Sequence, residues 1–360
     1  MLLYYIIKKI LYSLIVLFGV LTIIFFLFNI LPGDPARMML DKREDSEQLK
    51  LIQEKYGFDK PLIEQYFLYI NDISLISIHN NTDKKAFTFL YSGKYNFVEI
   101  IDISHNTIVV KYPYLRESFV KSGNTVSSII LKTFPNTFLL AMSSIIFACF
   151  FGIIFGVIAA IFKDSFFDKC ILLFSVIGMS LPSFFASIII AWIFGFLLHS
   201  YTGLNMTGSL YEIDDYGRGS VINLRNLILP ALTLGIRPIA VIIQLCRNSL
   251  LETFTMDYIR TAHAKGLSKF RVVFKHALKN ALNPLVTAVS GWFASLLAGS
   301  VFVEYIFGWN GIGKEIVDAL GKLDLPVVMG SVLFIASLFV IINILVDLIY
   351  TWLDPRIKIS

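Results

Sequence analysis

The sequence predicts an all-α polytopic membrane protein with six transmembrane helices and an extracytoplasmic α+β excursion between the first two. Three observations carry that reading. Hydrophobic residues make up 56% of the 360 and charged residues 16%, with mean hydropathy +0.72, against about 25% charged in soluble domains. Several apolar runs are long enough to cross a hydrocarbon core of ~30 Å at 1.5 Å per residue. Lysine and arginine concentrate in loops that fall on one side. This composition excludes an ordinary soluble domain and a disordered chain. The net charge of +5 is too mild to suggest nucleic acid. Cys149, Cys170 and Cys246 lie in or beside apolar runs and read as small buried hydrophobes, with no disulfide or zinc framework.

The first span is Ile10 to Leu31, in an N-terminal segment 1–31. Met1 to Lys9 imitates the head of a signal peptide, but the run exceeds ~7–15 apolar residues and ends in Pro32-Gly33-Asp34-Pro35, so it is expected to stay attached. The other spans are Phe138–Phe162, Cys170–Leu198, Leu227–Cys246, Leu285–Val303 and Val327–Trp352, within a five-helix core 135–360. Cys170–Leu198 is too long for one upright helix, which predicts tilt or a bend at Pro182. Pro230 and Pro238 are expected to interrupt the fourth span. With both termini inside, inner segments carry Lys8, Lys9, Lys163, Lys169 and the basic stretch 247–283, while short outer loops carry only Arg218, Arg225, Lys314 and Lys322. The inverted topology would place 247–283 outside, against the positive-inside rule.

Residues 32–134 form the outer excursion. Leu49, Ile52 and Tyr56, then Leu62, Tyr66, Phe67 and Ile70, suggest two short helices around Gly57–Pro61. Ala86–Tyr91, Tyr95–Ile101 and Thr107–Tyr112 read as a three-stranded meander in a β-rich insertion of about 72–112. His79 and His105 lack a third ligand at metal spacing and read as surface residues.

The inner loop 250–283 is the most informative segment. Asp257 to Lys265 predicts a short helix with small residues Thr261, Ala262 and Ala264, closed by Gly266. Ser268 then caps a helix with Phe270, Val273, Phe274, Ala277, Leu278, Ala281 and Leu282 on one apolar face and Lys269, Lys275, His276 and Lys279 off it. Lipid anchoring suits the second helix. It does not explain the first, whose small, weakly apolar surface suits a groove on a partner protein.

Tyr258-Ile259-Arg260-Thr261-Ala262-His263-Ala264-Lys265-Gly266-Leu267-Ser268, with His276 to Pro284, resembles the signature loop of ABC-importer permeases, and more narrowly the B-type subunit of the oligopeptide/dipeptide/nickel group. Leu31–Ala36, Tyr56–Leu62, Leu131–Thr137, Gly299–Glu304 and Val346–Asp347-Leu348 to Asp354-Pro355-Arg356 agree with that subgroup, so the resemblance covers nearly the whole chain. It implies the transmembrane domain of a type I ABC importer, a bacterial inner-membrane permease forming half of a peptide pathway. It further implies a second permease subunit, two cytoplasmic ATPase subunits that bind ATP and magnesium, and an extracytoplasmic substrate-binding protein. This chain would bind no cofactor and hold no catalytic residue. Lipid surrounds it. The ATPase-coupling residues implied are Asp257, Tyr258, Arg260, Thr261, Ala262, Ala264, Lys265 and Gly266. The general Glu-Ala-Ala-x-x-x-Gly motif falls on Arg260, Thr261, Ala262 and Gly266; the usual Ile-x-Leu-Pro ending is not met at its spacing, Pro284 coming later. The β-rich insertion exceeds the family's typical outer loop, as a passive insertion or an added contact surface.

Gly308-Trp309-Asn310-Gly311-Ile312-Gly313-Lys314-Glu315 matches the first seven positions of a phosphate-binding loop, but Glu315 replaces the magnesium-binding hydroxyl and the topology places it outside, so it is rejected as an ATP site. Gly291, Ser295 and Gly299 form a small-xxx-small stripe, for packing within the subunit or against a second permease. Asp347 invites a proton relay, but its place near the inner end favours an ion pair. Arg237, between Gly235 and Pro238, either lines a polar path for a peptide carboxylate or snorkels and pairs. A nickel-chelate permease and a secondary transporter are the alternatives. The latter wants internal repeats and midplane ion-coupling groups, and neither stands out.

Overall fold

A computed structural model describes residues 2–30, 47, 50, 53–54, 57–83, 86, 88–90, 94–213 and 219–353. The expected Pro-Gly-Asp-Pro opening and most of the first short outer helix lie outside these residues. Two compact units form, one from residues 11–132 and 315–334, the other from 133–314 with the segments before 11 and after 334.

In the first unit, α1 (Leu2–Ile30) contributes Leu21, Ile24 and Phe25 to a core with α2 (Leu62–Ile73), Phe119, Leu325, Met329 and Leu333. Tyr66 and Tyr69, three apart on α2, set their rings 5.3 and 5.6 Å from Phe25. Strands β1 (Ile76–Asn80), β2 (Phe97–Ile103) and β3 (Asn106–Lys111) form an antiparallel sheet in the order β1-β3-β2. The first strand is therefore not the expected Ala86–Tyr91, of which Phe89 makes an isolated bridge to Asn80. Alternation in Ile76–Asn80 buries Ser77 and His79, and polar residues at inward positions hid that strand from a hydrophobic reading. His79 is fully buried, contrary to the surface position expected for it: Ser77 Oγ lies 3.0 Å from its Nε2 and the Thr88 carbonyl 3.0 Å from its Nδ1. His105 is exposed. Beside His79, buried Asp72 accepts from Tyr95 OH (2.9 Å) and Arg116 Nε (2.9 Å), while its carbonyl accepts from Lys111 Nζ. Burial pushes the Lys111 ammonium down to about 8, against the opposing pull of Asp72.

The second unit carries most of the long helices. They are α3 (Val126–Ile161), α4 (Phe166–Ser180), α5 (Ser183–Leu197, π-helical from Ala191), α6 (Arg225–Phe254), α7 (Asp257–Ala264), α8 (Lys269–Ala281), α9 (Asn283–Gly299) and α10 (Val301–Phe307). Helices α11 (Ile312–Gly321) and α12 (Leu325–Leu353) follow, and each runs through both units. Strands β4 (Tyr211–Ile213) and β5 (Ser220–Ile222) pair antiparallel before α6. Leu140, Leu229, Leu234, Leu297, Phe307 and Trp309 lie in one core, and Ile242, Cys246, Leu250, Ile259, Val273 and Leu285 in another. Among the described residues four helices are long and apolar enough to cross a bilayer, and two bent pairs raise that to as many as six.

Pro182 acts as expected. Leu181 before it is extended (ψ 126°), and α4 and α5 meet at a bend of 110°. Pro230 and Pro238 behave differently: both are buried inside α6, which runs unbroken through them because packing outweighs a missing N–H.

Candidate functional site

The loop from α6 to α9 is built by two caps. Extended Met256 (φ −72°, ψ 145°) turns the chain out of α6 into α7. Gly266, at φ +76°, closes α7: its N–H donates to the His263 carbonyl (2.9 Å) and that of Leu267 to Ala262 (3.3 Å), the paired bonds of a Schellman motif. Nothing lies within 4 Å of a Cβ placed on Gly266, so glycine is required there by the left-handed backbone and not by a neighbour in this chain.

Ile259 and Ala262, three apart, turn into the core with Cys246, Leu250, Val272, Val273 and Ala277. Ala262 is 6% exposed, so it roots α7 in this chain and presents no surface to another. Asp257, Tyr258, Arg260, Thr261, His263, Ala264, Lys265 and Gly266 are exposed. The Tyr258 hydroxyl accepts from Asn280 Nδ2 (2.8 Å), which ties the exposed face to α8. Arg260 pairs with Asp257 at 3.5 Å on the open surface, an interaction of little energy.

Ser268 caps α8 by accepting from the Arg271 N–H (3.5 Å). The segment Val272–Ala277 is π-helical, which inserts a residue into the turn and shifts the helix's phase. Val272, Val273, Ala277 and Ala281 are buried, whereas Phe270 and Phe274 stand outside, 72% and 46% exposed, with rings 4.4 Å apart. The expected single apolar face is therefore split. A strict 3.6-residue periodicity cannot register that shift. Arg247 near the loop end of α6 grips Asp168 of α4 through two 2.7 Å bonds, and Ser165 caps α4 by accepting from the Asp168 N–H (3.3 Å). The Ser165-x-x-Asp168 spacing is the signal that would have found this bracket.

The phosphate-loop lookalike has its own resolution. Helix α10 ends at Gly308 (φ +68°), and Trp309, fully buried, donates from Nε1 to the Asn136 carbonyl (2.9 Å). Glu304 Oε2 accepts from the N–H groups of Gly313 (2.7 Å) and Lys314 (3.2 Å), and Oε1 accepts from Ser300 Oγ (2.8 Å). Thr137 Oγ1 accepts from Ile312 N–H (2.8 Å). A Cβ on Gly313 would stand 2.5 Å from Val301 Cα. The loop is a cradle of N–H donors at a helix N-terminus, and the group that fills it is the chain's own carboxyl. Burial pushes that carboxyl above the usual range, opposed by these hydrogen bonds.

Arg237 lies on the exposed side of α6 while Gly235 and Pro238 beside it are buried. Gly291, Ser295 and Gly299 are all exposed, with nothing within 4 Å of a Cβ on either glycine, so among the described residues this stripe does not pack within the chain. By contrast Gly152 and Gly156 of α3 do, since a Cβ there would come 2.7 and 2.6 Å from Ile242 and Cys246 of α6. Asp347 is ion-paired with Lys9, bringing an early turn of α1 against a late turn of α12. That pairing accounts for the carboxylate without a proton relay.

The apolar helices and the open face of α7 define a membrane protein with a surface left over on one loop. The chain belongs to the family of binding-protein-dependent transport system inner membrane components, which matches residues 152–359, while the N-terminal region of such components matches residues 1–92. It is a multi-pass permease of that family, a class without catalytic function of its own. Similar proteins include the di/tripeptide transport system permease protein DppB of Pseudomonas aeruginosa (strain UCBPP-PA14), 33% identical over 95% of this chain and 94% of that one. The dipeptide transport system permease protein DppB of Bacillus subtilis (strain 168) is 32% identical over 94% and 92%. The glutathione transport system permease protein GsiC of Escherichia coli (strain K12) is 30% identical over 98% of both. An inward-facing structure of the MetNI methionine ABC transporter shares 17% identity over 63% of this chain and 96% of that one, with a TM-score of 0.49, a likeness too loose to build on.

Proposed function

We propose that this permease forms half of the pathway of an ATP-driven importer of di- and oligopeptides and receives its drive through α7. The observation that carries the coupling role is the division of that helix. Ile259 and Ala262 anchor it in the core while Asp257, Tyr258, Arg260, Thr261, Ala264, Lys265 and Gly266 are left exposed beside a rigid Schellman turn. A rigid lever with an unused face suits a cleft on a cytoplasmic ATPase, which would supply the bound ATP and magnesium. The peptide cargo rests on the relatives being di/tripeptide and dipeptide permeases. Six spans, with the 32–134 excursion outside and both termini inside, fit the basic 247–283 segment and the Lys9–Asp347 pair, which joins the first and last long helices near their terminal ends. A second permease fits the open Gly291-Ser295-Gly299 stripe. Arg237, exposed on a membrane helix, is the pathway candidate for a peptide carboxylate. An extracytoplasmic binding protein would deliver the cargo.

The test is reconstitution of the assembled transporter in vesicles. Labelled di- and tripeptides should accumulate only with ATP, and Arg260→Glu should uncouple hydrolysis from uptake while leaving the permease folded. Uptake of nickel chelates in preference to peptides would overturn the cargo, and uptake without nucleotide would overturn the coupling.

A further inference from the structure

A groove of about 490 Å³ opens between the α6–α9 loop and two helix ends. Its walls are Ile161, Phe254, Val272, Val273 and the exposed pair Phe270 and Phe274, and its polar lining is Lys269 and His263. Ile161 is the last residue of α3 and Phe254 the last of α6, both helices long and apolar enough to cross a bilayer. Two spans ending at one groove place it at the level where hydrocarbon gives way to headgroups. Phe162, Phe166 and Phe167, just beyond the end of α3, are also exposed at 53%, 77% and 65%, as befits a chain passing through that interface.

The charges around the groove complete its chemistry. Lys269, Arg271, Lys275 and Lys279 are exposed on α8, and among the described residues none of them forms an ion pair. We infer that this groove is a binding site for an anionic phospholipid, with an acyl chain along the Phe270–Phe274 pair and the phosphate at the Lys269 ammonium. An acyl chain needs no hydrogen-bond partner from apolar walls, whereas a docking peptide backbone would leave its N–H and C=O groups unpaired there. Among the described residues no carboxylate pairs with these rim cations, and they match a lipid headgroup of net negative charge.

The experiment uses the purified full chain in detergent with dioleoylphosphatidylglycerol or dioleoylphosphatidylcholine, counting retained lipid by native mass spectrometry. The wild-type chain should retain the anionic lipid in preference. Lys269→Gln should lower that retention about fivefold, roughly the worth of one cation near an anionic surface, and leave the zwitterionic lipid unchanged. Phe270→Ser with Phe274→Ser, at exposed positions that do not support the core, should lower retention of both. Millimolar inorganic phosphate should not displace the lipid. Equal retention of the two lipids, displacement by phosphate alone, or variants that hold phosphatidylglycerol like the wild type would each overturn the site. So would a photocrosslinking residue at position 270 of the assembled transporter that captures protein and no lipid.

Discussion

The α6–α9 loop and the Gly308–Lys314 loop both carry a motif of the kind that signals an external ligand, and the structure treats them in opposite ways. At Gly308–Lys314 the N–H groups of Gly313 and Lys314 are consumed by Glu304, buried and hydrogen-bonded on both oxygens, and that of Ile312 by Thr137. Along α7 only Ile259 and Ala262 are buried, and the rest of the helix faces outward. The difference teaches that a motif marks a potential for binding, and that satisfaction from within the chain decides whether the potential is spent. A satisfied cradle is architecture, whereas a rigid helix with an unused face keeps a surface to offer.

Four substitutions or titrations sharpen that contrast. The largest effect is expected from Glu304→Ala, which strands the Gly313 and Lys314 N–H groups in a buried site and should cost about 3 kcal/mol. Thermal unfolding of the purified chain reads it directly; a melting temperature equal to that of Arg260→Ala would erase the distinction between the loops. Next, Ala262→Leu overfills the core under α7 and should cost about 2 kcal/mol, whereas Arg260→Ala on the exposed side should stay within about 0.5 kcal/mol. Comparable losses at both positions would show that α7 has no free face.

The Asp72–Lys111 cluster belongs with the satisfied kind and is tested by pH. Because burial holds Lys111 at about 8 in the folded state, while an unfolded lysine titrates near 10.4, the unfolded chain binds the extra proton between those values. Stability of this unit should therefore rise with pH across that window, by at most about 1.4 kcal/mol per pH unit. Lys111→Met should abolish the rise, read as hydrogen exchange of β3 amides corrected for intrinsic rate; an unchanged slope in the variant would place the proton elsewhere. The smallest effect is Gly266→Ala, about 1 kcal/mol for a left-handed residue with a Cβ and no clash, since the surrounding space is open. Gly266→Asn should lose less, and a larger loss for Asn than for Ala in thermal unfolding would point to a steric role instead.

Much of the α6–α9 loop was legible in sequence because its determinants are local. Gly266 after Ala264, Ser268 before Lys269 and small residues at three- and four-residue spacing act within one or two turns. The π turn at Val272–Ala277 was not legible, since Phe270 and Phe274 share the apparent stripe of Val273 and Ala277 until an extra residue rotates them out. Strand β1 was missed for a related reason: Ser77 and His79 at inward positions break the hydrophobic alternation and are satisfied by each other and by the Thr88 carbonyl. Pro182 and Pro230 look alike in sequence, yet one breaks a helix and the other does not.

By itself the sequence determined that the chain is a membrane permease, where its apolar runs lie and which loop carries the short glycine-capped helix, because hydrophobic length, charge asymmetry and capping are properties of contiguous residues. Only the tertiary structure decided that Ala262 faces inward, that Glu304 fills the Gly308–Lys314 cradle and that, among the described residues, the Gly291-Ser295-Gly299 stripe is left uncovered. Each of those outcomes depends on which remote atoms arrive to satisfy a donor or fill a space, and no local spacing encodes that.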